Sequence, residues 1–415
     1  MKVSVEKLRE FLNLLYNNEI DKNLLDFNGV LHEMEYCLKK IENFSQIKNN
    51  FSIQNFGLNY KERFCSLICR SYPPTLQVEV TNKCNLRCVH CGVITKGVNT
   101  LPLYIFDKLK KIFPYLNSLT WLGGEVFLVD YFYDLIKQIN TDFPHIEHVI
   151  YTNGLSLDET KIDLISDIEP LTIKFSIDSV VKDTYEKLRL QGNFEKSNNN
   201  LRMLIETYKR KNKIPKLAIN VVVMKSNIEE LLLYPDFCKK YSIGYLDVSF
   251  LSDIKECSNP ENFFSEISFE KIKKIKKIIE ELEIKCKEYN IQLFCNFYDM
   301  VDLIKEPNVI FTDVVKKRRF ETYGIVRKNV INTEKYVYQC AWPWHSMYIK
   351  CTGFVVPTGD CLVPAGNILY QDIEEIWNGE IMQIYRYKMM MHDLDNWCNY
   401  HCIRKSNVNK KLIEI

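Results

Sequence analysis

No run of apolar residues in this 415-residue chain approaches the roughly 18 that a membrane-spanning helix needs. The longest, Leu217–Met224, is interrupted by Asn220. An export signal is missing as well: the N-terminal stretch MKVSVEKLREFLNLLYNNEI carries charge throughout and has neither an apolar core nor a small-residue cleavage site. Net charge is nearly absent, with 55 basic and 53 acidic residues giving +2, which excludes a nucleic-acid surface built on bulk charge. There is no internal repeat and no low-complexity segment. Glycine is sparse, at 14 residues, and is outnumbered by 15 cysteines. These absences leave a cytoplasmic protein without membrane or nucleic-acid partners, whose thiols stay reduced. Its cysteines are then metal ligands or buried core thiols. At roughly 150 residues per domain the length allows two or three folded units.

What is present falls into four stretches. Residues 1–72 read as a helical segment, with Val5, Leu8, Phe11, Leu12 and Leu15 at helical spacing and Leu31, Met34, Leu38 and Ile41 repeating it. Tyr72-Pro73-Pro74 stops helix and begins extended chain. Over 73–295 strands and helices alternate. Strands are expected at Leu76–Thr81, Ser118–Leu122, His148–Thr152, Leu171–Ile177, Leu217–Met224 and Tyr245–Phe250. Helices are expected at Leu103–Phe113, Tyr131–Ile139, around Ile162–Ile165, and at Phe194–Arg210, Glu229–Tyr241 and Phe269–Tyr289. This is an α/β unit with a parallel sheet, and periodicity alone leaves an open doubly wound sheet and an incomplete barrel equally available. Residues 296–335 read as an irregular bridge, and 336–415 as a second, cysteine-rich unit.

The densest chemistry is Thr81-Asn82-Lys83-Cys84-Asn85-Leu86-Arg87-Cys88-Val89-His90-Cys91, a loop directly after the first strand. Thiolates are soft ligands suited to iron–sulfur clusters or zinc, and this spacing lets one loop wrap three around one centre. Three protein ligands on a four-metal cluster leave one position open, which is a catalytic rather than a structural arrangement. A zinc knuckle with a distant fourth ligand is the structural alternative.

The loop resembles the CX3CX2C motif of the radical S-adenosylmethionine (radical SAM) superfamily. That resemblance implies a partial (β/α)6 barrel and a [4Fe–4S] cluster held by Cys84, Cys88 and Cys91. The open iron binds S-adenosylmethionine, and an electron from the cluster splits it to a 5′-deoxyadenosyl radical that abstracts hydrogen from substrate. Flavodoxin or ferredoxin is the type of electron donor implied. Further matches follow the strands: Gly123-Gly124-Glu125, Thr152-Asn153-Gly154, Ser176-Ile177-Asp178, and Tyr185-Glu186-Lys187-Leu188-Arg189. The resemblance makes Gly123, Gly124, Glu125, Asn153, Ser176 and Asp178 cofactor contacts, with Ser176 and Asp178 on one strand face. It makes Arg189 a partner for the SAM carboxylate, and it places His90 where an aromatic residue packs near adenine.

The C-terminal cysteines Cys340, Cys351, Cys361, Cys398 and Cys402, with Pro343-Trp344, Gly353, Gly366-Asn367-Ile368 and Trp377-Asn378, resemble the SPASM extension of these enzymes in a shortened, twitch-like form. Thr358 stands where the family has a cysteine, and Cys361 follows three residues later. The resemblance implies one auxiliary [4Fe–4S] cluster on Cys340, Cys361, Cys398 and Cys402, with Cys351 spare; a zinc-ribbon-like structural site is the alternative. Cys37, Cys238, Cys257, Cys286 and Cys295 read as core thiols, and Cys65 and Cys69 as neighbours on one helix face.

Tyr245, Asp247 and Ser249 alternate onto one face of the sixth strand, and Asp247 is the candidate proton acceptor. Three functions are carried forward. The first is a maturase modifying a peptide or protein. The second is a dehydrogenase or related enzyme on a small carbohydrate-like molecule. The third is a non-catalytic metal-binding or redox-sensing protein.

Overall fold

The computed structural model describes residues 50–63, 65–92, 97–251, 261, 269–297, 326–329, 336–359 and 361–390. The helical expectation before residue 50, most of the bridge, and Cys37, Cys257, Cys398 and Cys402 lie outside the described residues.

The strands in chain order are β1 Thr75–Thr81, β2 Arg87–Cys88, β3 Ser118–Gly123, β4 Glu147–Thr152, β5 Leu171–Ser176, β6 Arg189–Leu190, β7 Lys216–Val223, β8 Tyr245–Phe250, β9 Gln292–Cys295, β10 Val326–Asn329, β11 Tyr336–Gln339, β12 Ser346–Ile349, β13 Phe354–Val356 and β14 Gly366–Asn367. One sheet takes the order β14-β13-β12-β1-β3-β4-β5-β7-β8-β9. Every neighbouring pair from β12 to β9 is parallel, and β13 and β14 add an antiparallel edge. The six strands expected from the sequence are all present. Two further parallel strands join them: β9, after the helix Phe269–Glu288, and β12, which comes from the cysteine-rich unit and pairs Thr75 with Ser346 through Val78 with Ile349. The second unit is therefore built onto the sheet of the first. In the expected bridge, β10 pairs antiparallel with β11 at the start of the expected cysteine-rich unit.

Side-chain alternation shows what kind of sheet this is. Val78 and Val80, Leu119 and Trp121, Ile150, Ile173 and Phe175, Ile219, Val221 and Val223, and Leu246 and Val248 are buried under the helices. Most intervening positions are polar: Gln77 and Glu79, Thr120, Tyr151, Lys174, Asn220, and Asp247 with Ser249, with Leu122, Val149 and Val222 the apolar ones among them. Except for the exposed Ser249, they are only partly buried. A parallel sheet covered by helices on both faces reads as continuous apolar runs. Alternation this regular marks one face packed on helices and one lining an interior, as in a curved barrel wall. Crossover helices Phe132–Asp142, Glu159–Ile165, Phe194–Arg210 and Tyr234–Tyr241 supply the outer layer.

Two local expectations are corrected. The helix expected over Leu103–Phe113 ends at Leu109, and a short 3-10 turn at Phe113–Tyr115 follows, with Pro114 at its start. Cys65 and Cys69 do not share a helix face, because the helix Asn50–Glu62 stops before them. The Glu62 carboxylate accepts from the amides of Arg70 and Ser71 and from the Ser71 hydroxyl, which folds the chain back on itself.

The returning segment and the C-terminal unit are joined by Arg386, fully buried in the helix Glu380–Met390. Its guanidinium donates to the carbonyls of Pro343 (3.0 Å), Leu67 (2.7 Å) and Trp377 (2.8 Å) and to Asn378 Oδ1, and stacks on the Trp377 ring. Burial lowers its pKa to about 10, so it stays charged at neutral pH. Arg386→Leu leaves those carbonyls buried and unpaired. The expected loss is about 3 kcal/mol of unfolding free energy, read from urea denaturation of the full chain.

Candidate functional site

The loop holding Cys84, Cys88 and Cys91 leaves the C-terminal end of β1, and three other strand ends brace it. The β3 end comes closest. Gly124 N donates to Thr81 O at 2.6 Å and Glu125 N to Lys83 O at 2.8 Å. A Cβ on Gly123 would stand 2.2 Å from Thr81 O and one on Gly124 2.1 Å from Lys83 O, so only glycine permits this approach. Gly123 also has φ +124°, which strains other residues.

From β4, Asn153 donates to Asn85 Oδ1 at 2.8 Å and lies 3.9 Å from Cys84 Sγ. Leu86 N donates to the same sulfur at 3.4 Å. Glu125 is fully buried between these two ends. Its carboxylate accepts from Thr152 Oγ1 and from Asn153 N, each at 2.8 Å, and from Phe127 N. It therefore braces the β3 and β4 turns against each other. Burial raises its pKa from 4.5 to about 7, against the opposing effect of those donors.

The third brace follows β5. That strand ends at Ser176, so Asp178 lies beyond it rather than on its face. Asp178 is fully buried, and its Oδ1 accepts from Val222 N of β7 at 2.9 Å. Oδ2 stands 2.8 Å from Arg189 Nε and 3.7 Å from His90 Nδ1. Arg189 is buried, not on the surface, and its Nη1 lies 3.9 Å from Cys88 Sγ. The ribbon β2–β6 fixes this contact by pairing Cys88 directly with Arg189. Burial opposes the guanidinium charge, but Asp178, Cys88 and Tyr185 together raise the Arg189 pKa. Burial lowers that of His90, which Asp178 only partly offsets. Ser176 is half-buried at the end of β5.

The donor set fits an iron–sulfur cluster. Burial raises the Cys88 thiol to about 11 and raises Cys84 as well, and a bound cluster would displace those protons. N–H donors already aim at two of them, the outer contacts that tune such clusters. Among the described residues no three Cys, His, Asp or Glu side chains converge tightly enough for a single ion.

In the C-terminal unit Cys340 and Cys361 are half-buried, and Cys361 N donates to Thr358 O. Cys351 is buried beside β1, where the Glu79 carboxylate accepts from Cys351 N at 3.3 Å and from Tyr348 at 2.6 Å. Burial, with Glu79 next, raises the Cys351 thiol to about 11. Cys238 and Cys286 are core thiols raised to about 12 by burial.

Asp247 is not free on the inward face. Lys174 reaches it from β5, crossing β7, and the two form an ion pair. In the register Lys174 stands opposite Ala218, whose small side chain leaves room for the crossing. Burial works against the Lys174 charge, but Tyr151 and Asp247 together raise its pKa. Lys174, Tyr151, Glu79 and Tyr348 escaped the sequence reading; their signal is a polar residue at every second strand position.

Glu125 binds its proton more tightly in the folded protein than in the unfolded chain. Its stabilising contribution is therefore present below pH 4.5 and is lost as the pH rises through about 7. The metal-free wild type is expected to lose on the order of 2–3 kcal/mol relative to Glu125→Gln between about pH 5 and pH 8, measured by urea denaturation at each pH.

Comparison with known proteins places these features in a family. The model of the radical SAM superfamily matches residues 78–233, and that of the iron–sulfur cluster-binding domain SPASM matches residues 340–403. The sporulation killing factor maturation protein SkfB of Bacillus subtilis is 25% identical over 224 residues, 50% of this chain and 52% of that protein. A GTP 3′,8-cyclase of Clostridium perfringens is 27% identical over 219 residues, 50% of this chain and 64% of the cyclase. The chain thus spans a little over half the length of these relatives. In fold it is similar to Streptococcus suis SuiB bound to the precursor peptide SuiA, with TM-score 0.56 and 16% identity over 92% of this chain and 77% of SuiB. It is also similar to anSMEcpe with bound AdoMet, with TM-score 0.54 and 13% identity over 82% and 97%. No helix among the described residues is long and apolar enough to cross a membrane. The chain belongs to the radical SAM superfamily of enzymes and carries a C-terminal SPASM iron–sulfur cluster-binding domain.

Proposed function

We propose that this protein is a radical SAM maturase acting on a peptide or protein. The observation that carries the reading is the three-cysteine loop, braced from three strand ends at the mouth of a sheet whose inward face is polar. Cys84, Cys88 and Cys91 would hold a [4Fe–4S] cluster, which would supply the one-electron chemistry that turns S-adenosylmethionine into a hydrogen-abstracting agent. Around it the chain's own groups divide the work. Gly123, Gly124 and Asn153 set the loop, and Arg189 and His90 stand over its Cys88 side. Glu125 and Asp178 hold those elements in register. Ser176 lines the cofactor side, and Asp247, kept in place by Lys174, accepts a proton where the reaction releases one.

Cys340, Cys361, Cys398 and Cys402 hold an auxiliary [4Fe–4S] cluster in the SPASM domain. A one-electron carrier such as flavodoxin or ferredoxin reduces the enzyme in the cytoplasm. A peptide substrate is favoured because the fold is similar to that of SuiB, solved with its precursor peptide SuiA, and because half of the chain matches the sporulation killing factor maturation protein SkfB. The matches to GTP 3′,8-cyclases support the second reading, a small-molecule substrate.

Anaerobic reconstitution is expected to give about eight irons per chain, two four-iron clusters. Cys84→Ser should lower this to about four and abolish 5′-deoxyadenosine formation with dithionite. Cys361→Ser should lose iron yet retain that cleavage. A colourless zinc protein that leaves S-adenosylmethionine intact would remove the radical reading. Substrate class is decided by turnover with deuterated candidates: label passing from a peptide into 5′-deoxyadenosine supports maturation, and label passing only from small molecules supports the second reading.

A further inference from the structure

Three buried polar atoms meet beside Cys88 without a well-aligned hydrogen bond: Asp178 Oδ2, Arg189 Nε and His90 Nδ1. Asp178 Oδ2 stands 2.8 Å from Arg189 Nε, so charge rather than hydrogen-bond direction holds that pair, and His90 Nδ1 lies 3.7 Å away. The opposite oxygen of Asp178 is fixed. It accepts from Val222 N, continuing the β5–β7 ladder one step past Ile177 N, which donates to Asn220 O. The main chain is fixed too, since Asn227 Nδ2 donates to Asp178 O at 2.6 Å and Tyr234 donates to Ile177 O at 2.9 Å. Asp178 is thus a rigid post on the sheet. Its free oxygen reaches the cysteine loop twice, directly toward His90 and through Arg189 toward Cys88 Sγ at 3.9 Å.

We propose that Asp178 is a positioning residue that anchors Arg189 against Cys88 and cancels its charge there, so that the pair sets the reduction potential of the cluster on this loop. A lone guanidinium 3.9 Å from a cluster thiolate favours the reduced, more negative cluster and raises the potential. With Asp178 on its other side the pair is neutral, and the cluster keeps the low potential that reduction of S-adenosylmethionine requires. A buried carboxylate serves here better than a surface one, because no solvent screens it. The arrangement also explains why both groups tolerate full burial: each is the other's counter-charge.

The inference rests on the reading above only in that the loop holds a cluster. Its test is an EPR-monitored redox titration of the reconstituted full chain, with the SAM-binding cluster identified as the signal that changes when S-adenosylmethionine is added. Asp178→Asn is expected to move that potential upward, because it leaves Arg189 uncancelled. Arg189→Gln is expected to move it downward, because it leaves the carboxylate alone. The double variant should return toward the wild type. Opposite signs separate this role from a merely structural one, which would shift both variants in the same direction through solvent entry. Shifts of the same sign, or none with the cluster retained, overturn the proposal. If Asp178→Asn does not retain its cluster, the sign for Arg189→Gln decides alone: downward supports the proposal, and upward or unchanged overturns it. A wild type with no SAM-responsive signal instead sinks the radical reading.

Discussion

A loop that must present three thiols to one centre has almost no secondary structure of its own, so its shape has to be imposed from outside. Here the imposition is made at three points, each from a different strand end. Backbone from β3 lies under Thr81 and Lys83 at distances only glycine allows. An amide side chain from β4 reaches Asn85 and faces Cys84. Asp178, just past β5, holds the Arg189 cation against Cys88. Glu125 then ties the first brace to the second, and Asp178 ties the third to β7. Loosening any of these lets the loop move relative to the rest. The cost of burying two carboxylates and a guanidinium is offset because every one of them has a donor or a counter-charge aimed at it.

Most of the parallel sheet was legible because β-branched runs punctuated by glycine and asparagine are short-range signals. The cysteine loop was legible because its spacing is local. The kind of sheet was also written in the sequence, although periodicity of the apolar residues did not extract it. The decisive residues are the polar ones between them: Gln77 and Glu79, Lys174, Asn220 and Asp247. What escaped was non-local. Nothing near Asp178 signals that its carboxylate continues a ladder with β7, and nothing near Asp247 signals Lys174 two strands away. The end of the first described helix escaped too, because the Glu62 carboxylate competes for amides eight and nine positions on.

The boundary between core and cysteine-rich unit was drawn where composition changes, yet the structure puts no seam in the sheet there. β12 extends the wall of the core, and Glu79 links β1 to Tyr348 and Cys351. Lys108 donates to Ile368 O, and the Trp377 indole donates to Ser71 O. Contacts of this kind hold the neighbourhoods of the two cysteine sets in one packed body of structure.

The parallel pairing of β1 with β12 has a consequence for how the protein is made. Thr75 and His345, joined by a side-chain hydrogen bond, are 270 positions apart. Until the ribosome has passed Ile349, β1 is an unpaired edge with its amides open on one side, a template for any passing strand. The strand that leads into the reactive loop is thus the last of the six core strands to gain both neighbours, and closure of the cysteine loop's stem is coupled to arrival of the C-terminal unit. A chain truncated before β12 lacks more than the SPASM cysteines: it lacks one wall of the loop's foundation.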